Sequence, residues 1–176
     1  MPYTFELALD PASAAVVRQA WQELDDAGIG YVARLGVRPH VSRGIWESLD
    51  HGRAEAELRR FAGATSEIGL TFASMGLFPG VAVFLAPTVT VALLELHAAD
   101  FHRRFAQLGQ GAWGHYQPGI WVPHCTLATN LALDRFGDAL AIAGRAPLPL
   151  ESRLVEAGIV EFRPVKQLVS CPLGGR

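Results

Sequence analysis

A four-residue pattern, Pro-His-x-Ser/Thr, occurs twice in this 176-residue chain, as Pro39-His40-Val41-Ser42 and as Pro123-His124-Cys125-Thr126. The two histidines stand 84 residues apart, close to half the length, which is the separation an internal duplication produces. The elements around them repeat in the same order, so the fold must present two similar halves, each with one motif. A strand reads over residues 3–9. Asp10-Pro11 offers an N-cap with proline at the first helical position. Val17, Trp21 and Leu24 continue as an apolar helical stripe, and Gly28 and Gly30 stop it. Residues 31–35 read as extended or loop-like. The first motif opens a strand from His40 to Trp46, Asp50 caps a helix over 51–62, a strand follows near 65–73, and Gly76–Gly80 turn the chain. In the second half, Val81–Leu85 is a strand. A long helix spans about 89–108, with Leu94, Ala98, Phe101, Phe105 and Leu108 on one side. A loop rich in glycine and aromatics covers 109–121, and the second motif lies on a strand over about 122–129. Asn130 is placed to cap a helix with the stripe Leu133, Phe136 and Leu140, ending at Gly144. Strands at 148–155, 158–163 and 165–171 close the chain.

This order predicts an α+β fold: a single bilobal domain over 1–176, with one lobe of about 1–80, another of about 81–176, and a shared central cleft. No low-complexity linker separates the halves. Half of the residues are hydrophobic, enough for a substantial core, and charged residues are sparse. The formal charge of −2 argues against a grip on extended duplex nucleic acid, which calls for a basic surface. A nucleotide or an RNA end, with few phosphates, stays compatible. The two cysteines, Cys125 and Cys171, do not make a disulfide framework, and strand alternation turns Cys125 inward as a buried thiol. The N-terminus shows no signal-peptide pattern. The most apolar window, Val81–Leu96, is too short and too interrupted to span a membrane. These points lead to an expectation of a cytoplasmic protein with no membrane partner, its oligomeric state open and a monomer compatible.

In a strand, residues i and i+2 share a face. Each motif therefore presents an imidazole and a hydroxyl side by side. Two such pairs across a cleft suffice to hold a phosphate and move two protons. One imidazole activates water and the other protonates the departing alkoxide from the opposite side, while Ser42 and Thr126 donate to non-bridging oxygens. The chemistry needs neither a metal nor another cofactor.

Paired His-x-Thr/Ser motifs, one in each half of a duplicated α+β chain of this length, resemble the two-histidine (2H) phosphoesterase superfamily, with its 2′-5′ RNA ligase-like and cyclic phosphodiesterase branches. The resemblance implies two pseudo-symmetric lobes of antiparallel-rich sheet with outer helices, and a cleft lined by His40, Ser42, His124 and Thr126. It also implies metal-independent action on 2′,3′-cyclic phosphates, RNA ends or 2′-5′ linkages, with His124 as base and His40 as acid in hydrolysis. Ligation, the reverse direction of related chemistry, stays open. So do a non-catalytic module binding nucleotides or RNA ends, and a structural protein in which the repeat is coincidence. The chain departs from the family pattern at Ser42, where threonine is commoner, and at Arg43, where an apolar residue is expected. Alternation puts Arg43 with Val41 and Ile45 on the packing face.

Trp113, His115 and Tyr116 in the 109–121 loop are candidate substrate-binding residues, as a lid or stacking platform, against the alternative of a packed surface loop. Arg38 is a further candidate for attracting an anionic substrate, as is Arg34, though a solvated surface arginine is the plainer reading of both. His97 and His102, five apart, fall about 140° apart on an α-helix and are expected to face solvent rather than form a metal pair. His51 reads as a helix-start residue. No Gly-x-Ser-x-Gly elbow and no phosphate-binding glycine loop is present.

Overall fold

The computed structural model describes residues 1–174. Among them the strands are β1 (Tyr3–Leu9), β2 (His40–Trp46), β3 (Ser48–Leu49), β4 (Ile68–Phe78), β5 (Ala82–Pro87), β6 (Gly109–Gln110), β7 (Cys125–Thr129), β8 (Leu150–Glu161) and β9 (Lys166–Pro172). The main sheet runs β2-β1-β8-β4-β5-β7, and every pairing in it is antiparallel. The long β8 carries the join. Its first residues, from Leu150 to Leu154, pair with β4, and its later residues, from Glu156 to Glu161, pair with β9 on the same edge. β3 and β6 form a separate short ladder.

The two halves of the chain exchange their closing strands. β4, from the first half, lies beside β5 of the second, and β8, from the second half, lies beside β1 of the first. The β4–β8 pair joins the two groups of strands. One strand stands where two were expected at 148–163, and β4 runs on to Phe78, so the turn falls at Gly80, which has φ +69°.

Helix α1 (Pro11–Asp26) starts as the sequence indicates. Asp10 accepts from the backbone N–H groups of Ala12 and Ser13. Its carboxylate also takes the Ser13 and Ser152 hydroxyls and the Arg153 N–H, tying the helix start to β8. Burial alone would raise its pKa, but these donors hold it down at about 2. Residues 31–34 form a short helix, α2 (Tyr31–Arg34), rather than an extended segment. Helix α3 (His51–Ala64) begins at His51 with Asp50 as its cap.

The long helix expected over 89–108 is three pieces: α4 (Val91–Glu95), a π-helical stretch Leu96–His102, and α5 (Arg103–Phe105). The wider turn shifts the buried face. Leu93, His97, Phe101 and Phe105 point inward, and Leu94 and Ala98 do not. The last helix, α6 (Phe136–Ala143), follows a single 3-10 turn, Leu133–Arg135. It buries Ala139 and Ala143, whereas Leu133 is 79 % exposed and Leu140 is exposed too. Asn130 does not cap it; it takes a left-handed φ of +56° just after β7.

The core lies on one face of the sheet, where Phe5, Leu7 and Leu9, Val41, Val83 and Leu85, Cys125 and Leu127 meet Val17, Trp21, Leu24, Leu58, Phe61, Phe101 and Phe105 of the helices. No helix among the described residues is long and apolar enough to cross a membrane.

Candidate active site

The motif strands β2 and β7 lie at opposite ends of the sheet path, yet they pack together, with the backbone N–H of His40 facing the Cys125 sulfur. His40, Ser42, His124 and Thr126 are half-buried, while Val41, Arg43, Cys125 and Leu127 are buried, as strand alternation requires. Burial pushes the Cys125 thiol up to about 12, so it stays protonated.

Both imidazoles are held in the same way. His40 Nδ1 lies 2.6 Å from the carbonyl of Arg38, and His124 Nδ1 lies 2.7 Å from that of Val122. A carbonyl only accepts, so Nδ1–H donates in each ring and Nε2 is the nitrogen left for chemistry. His40 Nε2 sits 3.1 Å from Ser42 Oγ. Thr4 Oγ1 lies 3.5 Å from the same oxygen, and the Tyr116 hydroxyl lies against it. Burial raises the Tyr116 phenol to about 12, keeping it a donor at neutral pH, although its contact with Ser42 acts the other way.

The two histidines differ in what surrounds them. Behind His40, Glu6 Oε2 is 3.4 Å from Nδ1; the Glu6 side chain is 2 % exposed and lies 2.6 Å from Arg38 Nε. Around His124 stand the rings of Phe78 and Phe84, with centroids 5.1 Å and 5.0 Å away. Burial lowers the His124 pKa, the Val122 carbonyl opposes this, and a charge on His40 lowers it further.

Both motif strands bulge immediately after the hydroxyl residue. Ser42 pairs with Glu6 and Gly44 with Phe5, leaving Arg43 extra; Thr126 pairs with Phe84 and Ala128 with Val83, leaving Leu127 extra. The first bulge switches the alternation, so Trp46, opposite Tyr3, enters the core and Ile45 faces Thr4's side. The carbonyl of each hydroxyl residue takes an indole N–H, Trp121 Nε1 to Ser42 at 3.1 Å and Trp21 Nε1 to Thr126 at 3.0 Å.

A cavity of about 420 Å³ opens beside the second pair, lined by His124, Thr126, Phe78, Trp113, Tyr116 and Trp121, with His115 also on its wall; His40 and Ser42 are not part of its lining. That size suits a nucleotide-scale ligand. A larger hollow of about 580 Å³ over Asp10, Thr71, Thr88 and Glu151 contains no imidazole. Among the described residues, no three His, Cys, Asp or Glu side chains gather as metal ligands.

The sequence matches the family described as the 2′-5′ RNA ligase superfamily over residues 9–164. The chain belongs to that superfamily. Its fold is similar to that of TT0787 of Thermus thermophilus, at 16 % identity over 100 % of both chains with a TM-score of 0.63. A structure described as a phosphoesterase is 16 % identical over 98 % of this chain and 97 % of its own, with a TM-score of 0.56. E. coli LigT complexed with 3′-AMP is 15 % identical over 98 % of this chain and 99 % of its own, also at 0.56. No curated protein matches the chain by sequence alone. The antiparallel α+β architecture with outer helices, expected of a LigT-like phosphoesterase, is the one observed.

Several side chains sit elsewhere than the sequence suggested. Arg38 is not a solvated arginine. It is half-buried, bonded to Glu6 and Glu156 and to Ser170 Oγ at 3.0 Å. Gly158, opposite Glu6, leaves it room, since a Cβ there would sit 2.5 Å from Arg38 Nη2. Arg34 is exposed and pairs with Asp25. His97 and His102 do not face solvent. Both are buried, their rings 4.6 Å apart, and both Nε2 atoms donate to the Tyr116 carbonyl, at 2.8 and 2.7 Å. The 140° separation assumed an α-helix; in a π-helical turn residues five apart come into line. Trp113 Nε1 donates to Glu47 at 2.7 Å, and its backbone N–H to the Ile45 carbonyl, so the 109–121 loop runs along the free edge of β2.

Proposed function

We propose that this protein is a phosphodiesterase acting by paired-histidine acid–base catalysis on a cyclic phosphate, an RNA end or a 2′-5′ linkage. The observation that carries the reading is the matched fixing of the two imidazoles, each with Nδ1–H given to the carbonyl two residues earlier and Nε2 kept for the substrate. Membership of the 2′-5′ RNA ligase superfamily, and a fold similar to that of E. coli LigT, whose structures are complexed with 3′-AMP and with ATP, support a small nucleotide or RNA terminus as the ligand.

The surroundings support a division of roles. His124, desolvated between Phe78 and Phe84, is the neutral ring and takes the proton of the attacking water. His40, with the Glu6 carboxylate behind Nδ1, is the ring equipped to carry a proton, which it passes to the leaving alkoxide. Ser42, Thr126 and the Tyr116 phenol donate to non-bridging oxygens, where charge accumulates in the transition state. Trp113, His115 and Trp121 form the wall against which a base or sugar rests.

The test is turnover of 2′,3′-cyclic nucleotides and 2′-5′ linked oligomers, with and without EDTA. The expected result is EDTA-resistant hydrolysis that falls by about 10²- to 10⁴-fold in His40→Ala and in His124→Ala. The rate should rise as His124 loses its proton, at a pH below the ordinary imidazole value. Binding without turnover would reject catalysis and leave a nucleotide-binding module.

A further inference from the structure

Arg43 occupies the bulge of the first motif strand, and its side chain is 1 % exposed. None of its three guanidinium nitrogens has a hydrogen-bond partner among the described residues. Aromatic faces are its neighbours instead. Cζ lies 5.4 Å from the Phe101 ring centroid and 5.0 Å from that of Trp121. The Asp100 carboxylate, on the exposed side of the π-helical turn, interacts with it through space. His97, stacked on Trp121 at 3.9 Å, and His102 also lie within reach of its charge, and both stay neutral beside it.

Burying an ion without hydrogen-bonding partners is costly, and ring faces recover only part of the loss. Hydrophobic replacement of a buried ionic group is often neutral or stabilising, so folding does not explain this arginine. Its position does. Trp121 forms part of the cleft wall, and its indole N–H fixes the carbonyl of Ser42. The guanidinium therefore stands against a residue of the cleft wall, one position along β2 from Ser42. Because Arg43 and Trp121 are both buried, its field is screened less than that of a surface charge.

We propose that Arg43 is a fixed, buried cation that draws the phosphate group into the cleft through its charge, without touching the ligand. This rests on the phosphoester reading of the cleft and adds to it a positioning residue outside both His-x-hydroxyl pairs. The expected size follows from Coulomb's law: a unit charge roughly 10 Å away at an effective dielectric of about 20 changes affinity about tenfold per unit of ligand charge.

The experiment measures the Kd of adenosine 3′-monophosphate by calorimetry at low salt, together with the melting temperature, for wild type, Arg43→Met and Arg43→Lys. The expected result for Arg43→Met is an unchanged or raised melting temperature with about 30- to 100-fold weaker binding, tenfold for each of the roughly 1.5 to 2 charges on the phosphate monoester. Arg43→Lys, which keeps the charge but not the guanidinium plane, should bind within about threefold of wild type. Equal affinity in wild type and Arg43→Met overturns the proposal and leaves the phosphoester reading standing. So does a lowered melting temperature in Arg43→Met, or equal weakening in the Met and Lys variants. A wild type that does not bind the nucleotide overturns both.

Discussion

His97 should make this protein sensitive to mild acid, and replacing it should remove its share of that sensitivity. Burial, the nearby Arg43 charge and His102 bring its pKa down to about 3, against the partial opposition of the Tyr116 carbonyl. In the unfolded chain the ring titrates near 6.5. As pH falls below 6.5 the unfolded state takes up a proton that the folded state refuses, so stability declines by about 1.36 kcal/mol per pH unit until the folded ring titrates. At pH 5, 1.5 units down, the loss is about 2 kcal/mol; at pH 7 it is absent. His97→Phe keeps an aromatic plane against Trp121, from which His97 is 3.9 Å away, but gives up the bond to Tyr116 at 2.8 Å, worth about 1 kcal/mol. The variant should therefore be about 1 kcal/mol less stable than wild type at pH 7 and about 1 kcal/mol more stable at pH 5. Urea unfolding at the two pH values measures both differences. A gap between the proteins that does not change with pH would refute the reasoning.

Other perturbations have equally direct outcomes. Asp10→Ala removes the α1 cap and strands the Arg153 N–H and the Ser152 hydroxyl, so urea unfolding should show a loss of about 2–3 kcal/mol. The Asp10 share of stability is fully present above pH 4 and should fade as pH falls toward 2, visible as convergence of the variant with wild type in acid. Gly44→Ala would push a methyl group into the buried Trp46 ring, which cannot move, and should cost about 1–3 kcal/mol by the same measurement.

Features that repeat at short range could be read from the sequence. The two motifs, the Asp10-Pro11 and Asp50 helix starts, and the inward Cys125 all follow from local rules of capping and alternation. The features that eluded it depend on local exceptions or on distant partners. The bulge at Arg43 breaks the period of two, and with it the expected position of Ile45. The π-helical turn breaks the period of 3.6 and brings His97 and His102 together. Glu6, Thr4, Trp21 and Trp121 are 30 or more residues from the groups they serve, and nothing in their neighbourhood in the chain marks them. Tyr116 could be picked out only as part of an aromatic loop; its contact with Ser42 depends on how that loop runs along β2.

The crossing of β4 and β8 has an evolutionary consequence. If one ancestral unit was copied to give both motifs, the copies did not remain side by side as self-sufficient modules. The first gave β4 to the second and the second gave β8 to the first, so neither can complete its sheet without its sibling. From that point the two were free to diverge around their histidines, a carboxylate behind one ring and phenyl groups around the other, but not free to separate.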